Sequence, residues 1–96
     1  MLKHIVMFRL STENSVINKQ ILKDKLDQLK NKIPEIRSIE TGLNISTRPS
    51  AYDLVLITEF DTEQDLEAYR IHPDHQDIVR LIKENAIETH VVDFDF

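Results

Sequence analysis

The 96-residue sequence predicts a single α+β domain, in which one antiparallel sheet carries helices on one side. Three observations lead there. Apolar residues alternate with a period of two near the start, middle and end of the chain, the signature of strands. Between those segments they recur at three- and four-residue steps, the signature of amphipathic helices. The length supports one hydrophobic core and not two. At 41% hydrophobic and 30% charged the chain has ordinary globular usage, which excludes disordered and fibrous classes.

Residues 2–10 form the first strand, with Leu2, His4, Val6, Phe8 and Leu10 on one face and Lys3, Ile5, Met7 and Arg9 on the other. Ser11 to Ser15 is a polar break, and the Ser15 hydroxyl is placed to cap a helix. Ile17, Ile21, Leu22, Leu26, Leu29 and Ile33 make that helix's apolar stripe. Pro34, which lacks an amide hydrogen and restricts the residue before it, ends it. Residues 36–45 read as a second strand, with Ile39, Thr41, Leu43 and Ile45 on one face. Gly42 within it suggests a bulge or a close backbone approach.

The segment from Ser46 to Ala51 is a loop, and Tyr52 to Phe60 is the third strand. Its continuous run Leu54-Val55-Leu56-Ile57 suits a strand buried on both faces. Asp61 and Gln64 have capping-box spacing before a helix bearing Leu66 and Tyr69. His72-Pro73 interrupts that helix, and Pro73 opens another whose stripe is Ile78, Leu81, Ile82 and Ala86. Residues 87–96 close the fold with a strand carrying Ile87, Val91, Val92, Phe94 and Phe96. The order βαββαβ, with right-handed crossovers, is a ferredoxin-like arrangement with both helices on one face.

That arrangement leaves too much apolar surface. Ile5, Met7, Val55 and Ile57 form one set on the first and third strands; Val6, Phe8, Leu54 and Leu56 form the other. One layer of helices covers only one set, and each large residue left in water forfeits about 1.5–3 kcal/mol. A homodimer packed sheet to sheet resolves this, giving a dimeric α+β barrel with a shared apolar cavity. His4, Val6 and Phe8 are assigned to that cavity.

Composition narrows the partners. A net charge of −5 without a basic stripe argues against nucleic acid and against an anionic membrane surface. With no cysteine there is no disulfide and no thiolate chemistry. The apolar patch at the start is too short and interrupted for a signal peptide or a membrane span, so a cytoplasmic location is expected.

The pattern Tyr69-x-x-His72-Pro73-x-His75 is the most unusual in the chain. Pro73 sets His72 at a helix start and His75 in its first turn, where amide hydrogens disfavour an imidazolium. A neutral imidazole accepts a proton, and a nearby phenol holds or donates one. The plain structural alternative is that the histidines cap a helix kink and the tyrosine fills the core. His4, a polar group among apolar neighbours, needs a partner. His72 and His75 alone make a poor metal site, which needs three or four assembled ligands, and no cofactor is expected. The acids from Glu59 to Glu67 read as a helix N-terminus and solvated surface, Arg48 as an ordinary loop residue, and His90 has no assigned role.

Lys3-His4-Ile5-Val6, Gly42-x-Asn44-x-Ser46, Tyr52-Asp53-Leu54-Val55, Glu59-Phe60 and Tyr69-x-x-His72-Pro73-x-His75 resemble the stress-responsive A/B barrel (Dabb) family over residues 2 to about 95. The resemblance implies a dimeric α+β barrel. Many members have no assigned reaction; the clearest enzymes among them are plant polyketide cyclases that close a ring by cofactor-free aldol-type chemistry. By resemblance, His75 matches their catalytic histidine, Tyr69 their tyrosine and His4 a cavity histidine. A further histidine of theirs falls at Leu54, a departure from the cyclase pattern.

Two functions compete on this reading. The first is cofactor-free acid/base catalysis on a small apolar or aromatic compound, cyclase- or lyase-like. His75, Tyr69 and His4 would be catalytic, and Val6, Phe8, Leu54, Leu56 and His72 would hold the ligand. The second is a non-catalytic ligand-binding or stress protein. A third reading, a cofactor-free monooxygenase-like barrel, rests on fold analogy alone.

Overall fold

The computed structural model describes residues 1–10, 18–85 and 87–96. The expected cap Ser15, with Ile17 and Ala86 of the two helix stripes, lies outside them. Strand β1 (Leu2–Arg9) is followed by helices α1 (Lys19–Asp27) and α2 (Leu29–Lys32), strands β2 (Ser38–Leu43) and β3 (Leu54–Phe60), helices α3 (Glu63–Ile71) and α4 (Pro73–Glu84), and strand β4 (Glu88–Asp95). The strands form one antiparallel sheet in the order β2-β3-β1-β4. This is the ferredoxin-like topology.

The helix expected to run unbroken to Ile33 is offset at Gln28, which divides α1 from α2. Gln28 stays in the right-handed helical region (φ −73°, ψ −17°), so the apolar stripe continues across the offset. Leu22, Leu26, Leu29 and Ile33 are all buried. Gly42 makes no bulge. It pairs in register with Val55, and a Cβ there would meet Val55 Cγ1 at an ordinary 3.4 Å. Ile45, expected on β2, lies beyond its end and is exposed.

The cap of α3 is Thr62, whose hydroxyl accepts from the Asp65 amide at 3.1 Å, and not Asp61. The Asp61 carboxylate instead meets the Arg37 guanidinium at 3.1 Å. An alternative charged partner draws it away from the helix.

The register decides which face is which. Val6 stands opposite Leu56 and Phe8 opposite Leu54, so these four share a face, and all are buried beneath the helices. Thr58 and Phe60 continue that face without exposure. Ile5 stands opposite Ile57 and Met7 opposite Val55 on the other side, where no helix among the described residues covers them. β3 therefore alternates between buried and half-buried residues instead of being buried on both faces, because this chain supplies only one helical layer. β4 is exposed along its length, Val92 to 60%.

Replacing Thr62 by Ala should lower stability by about 0.5–2 kcal/mol, the usual cost of a lost side-chain cap. Asp61→Ala removes only an exposed ion pair and should cost less. Urea unfolding of the two variants checks the assignment; a larger loss from Asp61→Ala would reverse it.

Candidate active site

A cavity of about 740 Å³ lies between the sheet and the helices of a single chain. Its floor comes from β1 and β4 and its roof from α3 and α4. This corrects the placement read from the sequence. His4, Val6 and Phe8 do line a cavity, but on the helix-covered face and not between two sheets. Both faces of β1 and β3 are apolar; the even-numbered one is paved from Leu2 to Phe60 with large residues, whereas the odd-numbered one ends in Lys3, Arg9 and Glu59. The helices cover the more uniformly apolar side.

The helix break at His72-Pro73 builds one end of the cavity. Pro73 holds the preceding residue extended, and His72 is so (φ −62°, ψ 137°), which ends α3. The His72 ring then caps α4, its Nδ1 accepting from the Asp74 amide at 3.1 Å. His72 is thus committed to the helix start and lies outside the cavity lining, as does Leu54, which packs in the core. Leu56 does line it.

One turn into α4, His75 folds back over the end of α3. Its Nδ1 donates to the Arg70 carbonyl at 2.9 Å, one of the carbonyls that a helix end leaves without an intrahelical partner. A carbonyl only accepts, so this bond puts the neutral ring's proton on Nδ1 and leaves Nε2 with a free lone pair. Burial pushes the His75 pKa below the ordinary imidazole value, and charge on His4, Arg70 and His72 adds to the fall; the bond to the Arg70 carbonyl opposes it. The ring is a neutral base near physiological pH.

Tyr69 sits between the two cavity histidines. Its ring centre is 4.4 Å from that of His75 and 5.9 Å from that of His4, with Phe60 packed at 5.1 Å. Burial raises the pKa of its phenol, which therefore stays protonated and able to donate. His4 Nδ1 bonds the Asp93 carboxylate, which fixes the ring's orientation. The structure thus gathers His4, Tyr69 and His75 into one row.

Asp93 is the residue that sequence reading missed. It stands opposite His4 in the β1–β4 register, yet the final strand reads His-Val-Val-Asp-Phe-Asp, with no clean alternation to show which acid faces inward. Arg70, also at the cavity, donates from Nε and Nη2 along one guanidinium edge to the two carboxylate oxygens of Glu67, at 2.8 and 2.6 Å. Among the described residues no group of three or more His, Cys, Asp or Glu is placed to hold a metal ion, and no helix is long and apolar enough to cross a membrane.

A ferredoxin-like domain with a partly buried histidine–tyrosine–histidine row under its helices defines the class. The chain belongs to the stress responsive A/B barrel domain family, Dabb, which matches residues 2–96. It is 32% identical over 98 residues to an uncharacterised protein of Streptomyces coelicolor, covering all of both chains. A crystal structure from Bacteroides fragilis, described as a dimeric protein of unknown function with a ferredoxin-like fold, is 32% identical; the match covers 99% of this chain and 95% of that one, with a TM-score of 0.80. A hydroxynitrile lyase from Passiflora edulis shares the fold with a TM-score of 0.82 over 97% of this chain and 90% of its own, at only 15% identity.

Folded His75 takes up a proton less readily than the unfolded chain, whose imidazole titrates near 6.5. Its contribution to stability is therefore complete above that pH and is lost as the pH falls through 6.5 toward the lower folded value. Proton NMR of the histidine rings should place the His75 midpoint below 6.5, and the stability advantage of wild type over His75→Gln should shrink on acidification. A midpoint at or above 6.5 contradicts the assignment.

Proposed function

We propose that the protein performs cofactor-free acid/base chemistry on a small, largely apolar carbonyl compound held in the cavity of each subunit. The observation that carries this reading is the bond from His75 Nδ1 to the Arg70 carbonyl, which leaves a neutral, partly desolvated Nε2 in the cavity beside a protonated phenol. His75 Nε2 takes the proton from the carbon next to the carbonyl. The electron pair moves onto the carbonyl oxygen, where the Tyr69 hydroxyl donates a hydrogen bond to the forming enolate. His4, held by Asp93, orients the ligand. The enolate then serves addition, elimination or ring closure according to the substrate. Val6, Phe8 and Leu56 supply apolar contact that excludes water.

The probe reaction is exchange of α-hydrogens of 2-decanone for deuterium in heavy water, followed by NMR. General-base help of this kind is worth about 10²–10⁴-fold, so His75→Ala should lose most of the enhancement and Tyr69→Phe a smaller part. Exchange no faster than buffer, or unchanged in folded His75→Ala, sinks the catalytic role and leaves a binding protein.

The uncovered sheet face supports a homodimer. Met7, Val92 and Phe94 are 42%, 60% and 41% exposed, and they flank the half-buried Ile5–Ile57 pair to form one apolar surface of a kind monomers rarely expose. An ion pair lies at its edge, Lys3 with Glu59 at 3.5 Å. Burying this face against a second copy removes it from water, and the related Bacteroides fragilis protein is described as dimeric. Sedimentation should give twice the 11.3 kDa chain mass for wild type and the chain mass for Ile57→Asp. A wild-type monomer at micromolar concentration refutes the pairing.

A further inference from the structure

The cavity is elongated, and its two ends differ in charge. Its floor runs along β1 and β4 through the paired positions His4–Asp93, Val6–Val91 and Phe8–Thr89. α4 passes over it through His75, Val79 and Lys83. The direction of α4 follows from the chain: His75 lies against Tyr69 near His4, whereas the helix's far end leads through Ile87 into β4 at Glu88, opposite Arg9. The Ile87 amide donates to the Ile82 carbonyl at 3.1 Å, holding that turn closed. Lys83 therefore stands at the Phe8–Thr89 end. Four strand residues span about 13 Å and eight helical residues about 12 Å, so both walls put the ends about 12 Å apart.

At the histidine end the charges are already satisfied within the protein. Arg70 is bound by Glu67, and Asp93 by His4. At the other end Lys83 is an exposed cation at the cavity mouth, and among the described residues it has no ion-pair partner. The nearby acids point elsewhere: Glu88 shares its sheet face with Arg9, opposite the cavity, and Glu84 does not line it. Between the ends the walls are apolar, with Val6, Leu56, Ile78, Val79 and Val91. An elongated ligand with a neutral carbonyl at one end and an anion at the other matches this distribution.

We infer that the cavity selects a medium-chain oxo-carboxylate, about ten carbons long since an extended zigzag of ~1.5 Å carbon–carbon bonds advances about 1.25 Å per bond, whose carboxylate is bound by Lys83 while its carbonyl reaches His75 and Tyr69. This rests on the acid/base reading of the same cavity and names its substrate class. Lys83 is a specificity residue remote from the reacting atoms, contributing a charge-assisted hydrogen bond at the mouth.

The test compares 9-oxodecanoate with 2-decanone, which has the same chain and no carboxylate, and with 5-oxohexanoate, which is too short to reach both ends. Calorimetric Kd and the KM for α-hydrogen exchange are read for each. Wild type should favour 9-oxodecanoate over both others by about ten-fold or more, through KM and Kd. Lys83→Gln should reduce the preference over 2-decanone to within about twofold, and Lys83→Glu should reverse it. Equal affinity of wild type for 9-oxodecanoate and 2-decanone, or a preference that survives Lys83→Gln, overturns carboxylate recognition; His75-dependent exchange of 2-decanone would persist, so the acid/base reading would stand. Loss of that His75 dependence overturns both.

Discussion

One sheet with two apolar faces and a single layer of helices is the constraint on which the rest of the structure depends. The strand period of two divides β1 and β3 into an even set and an odd set, and hydrophobic burial is served on both sides only if something covers each. The helices take the even set. That choice buries Val6, Phe8, Leu54 and Leu56 and sends Ile5, Met7, Val55 and Ile57 outward. It also encloses His4, whose parity places it among the covered residues. A polar ring brought under the helices needs partners there, and Asp93 from the adjacent strand supplies one.

The histidine end of the cavity follows from a local rule of backbone chemistry. Proline cannot continue α3 and forces its neighbour out of the helical region, so the chain ends one helix and starts another within two residues. The end of α3 offers carbonyls without intrahelical partners, and the first turn of α4 swings His75 onto one of them. The same bond selects the tautomer, and burial keeps the ring neutral. His72 and His75, three residues apart in one motif, thereby receive different tasks: the first secures a helix end, the second presents a basic nitrogen.

Much of this was legible in the residues. Alternation over residues 2–10 announced β1, the stripe from Leu22 to Ile33 announced the first helical layer, and Tyr69-x-x-His72-Pro73-x-His75 announced the kink and drew attention to Tyr69 and His75, which line the cavity. What escaped reading depends on contacts between distant segments. Both strand parities carry large apolar residues and differ mainly in the charges that end the odd set, too weak a local sign to put the cavity beneath the helices. Asp61 and Thr62 are both competent caps; the nearby Arg37 decides between them. Asp93 is invisible until the β1–β4 register is known, because Asp95 two residues on has the same parity and the same chemistry.

The arrangement gives the two faces different characters: a cavity lined by His4, Tyr69 and His75 beneath the helices, and an apolar surface on the bare side of the sheet. A crystal structure of the protein with a brominated methyl ketone bound locates the ligand directly through the bromine's anomalous signal. One peak in each chain, in the space bounded by His4, Tyr69, His75 and α4, is the outcome this account requires. A peak lying between the sheets of two copies, against Ile5 and Ile57, would contradict it.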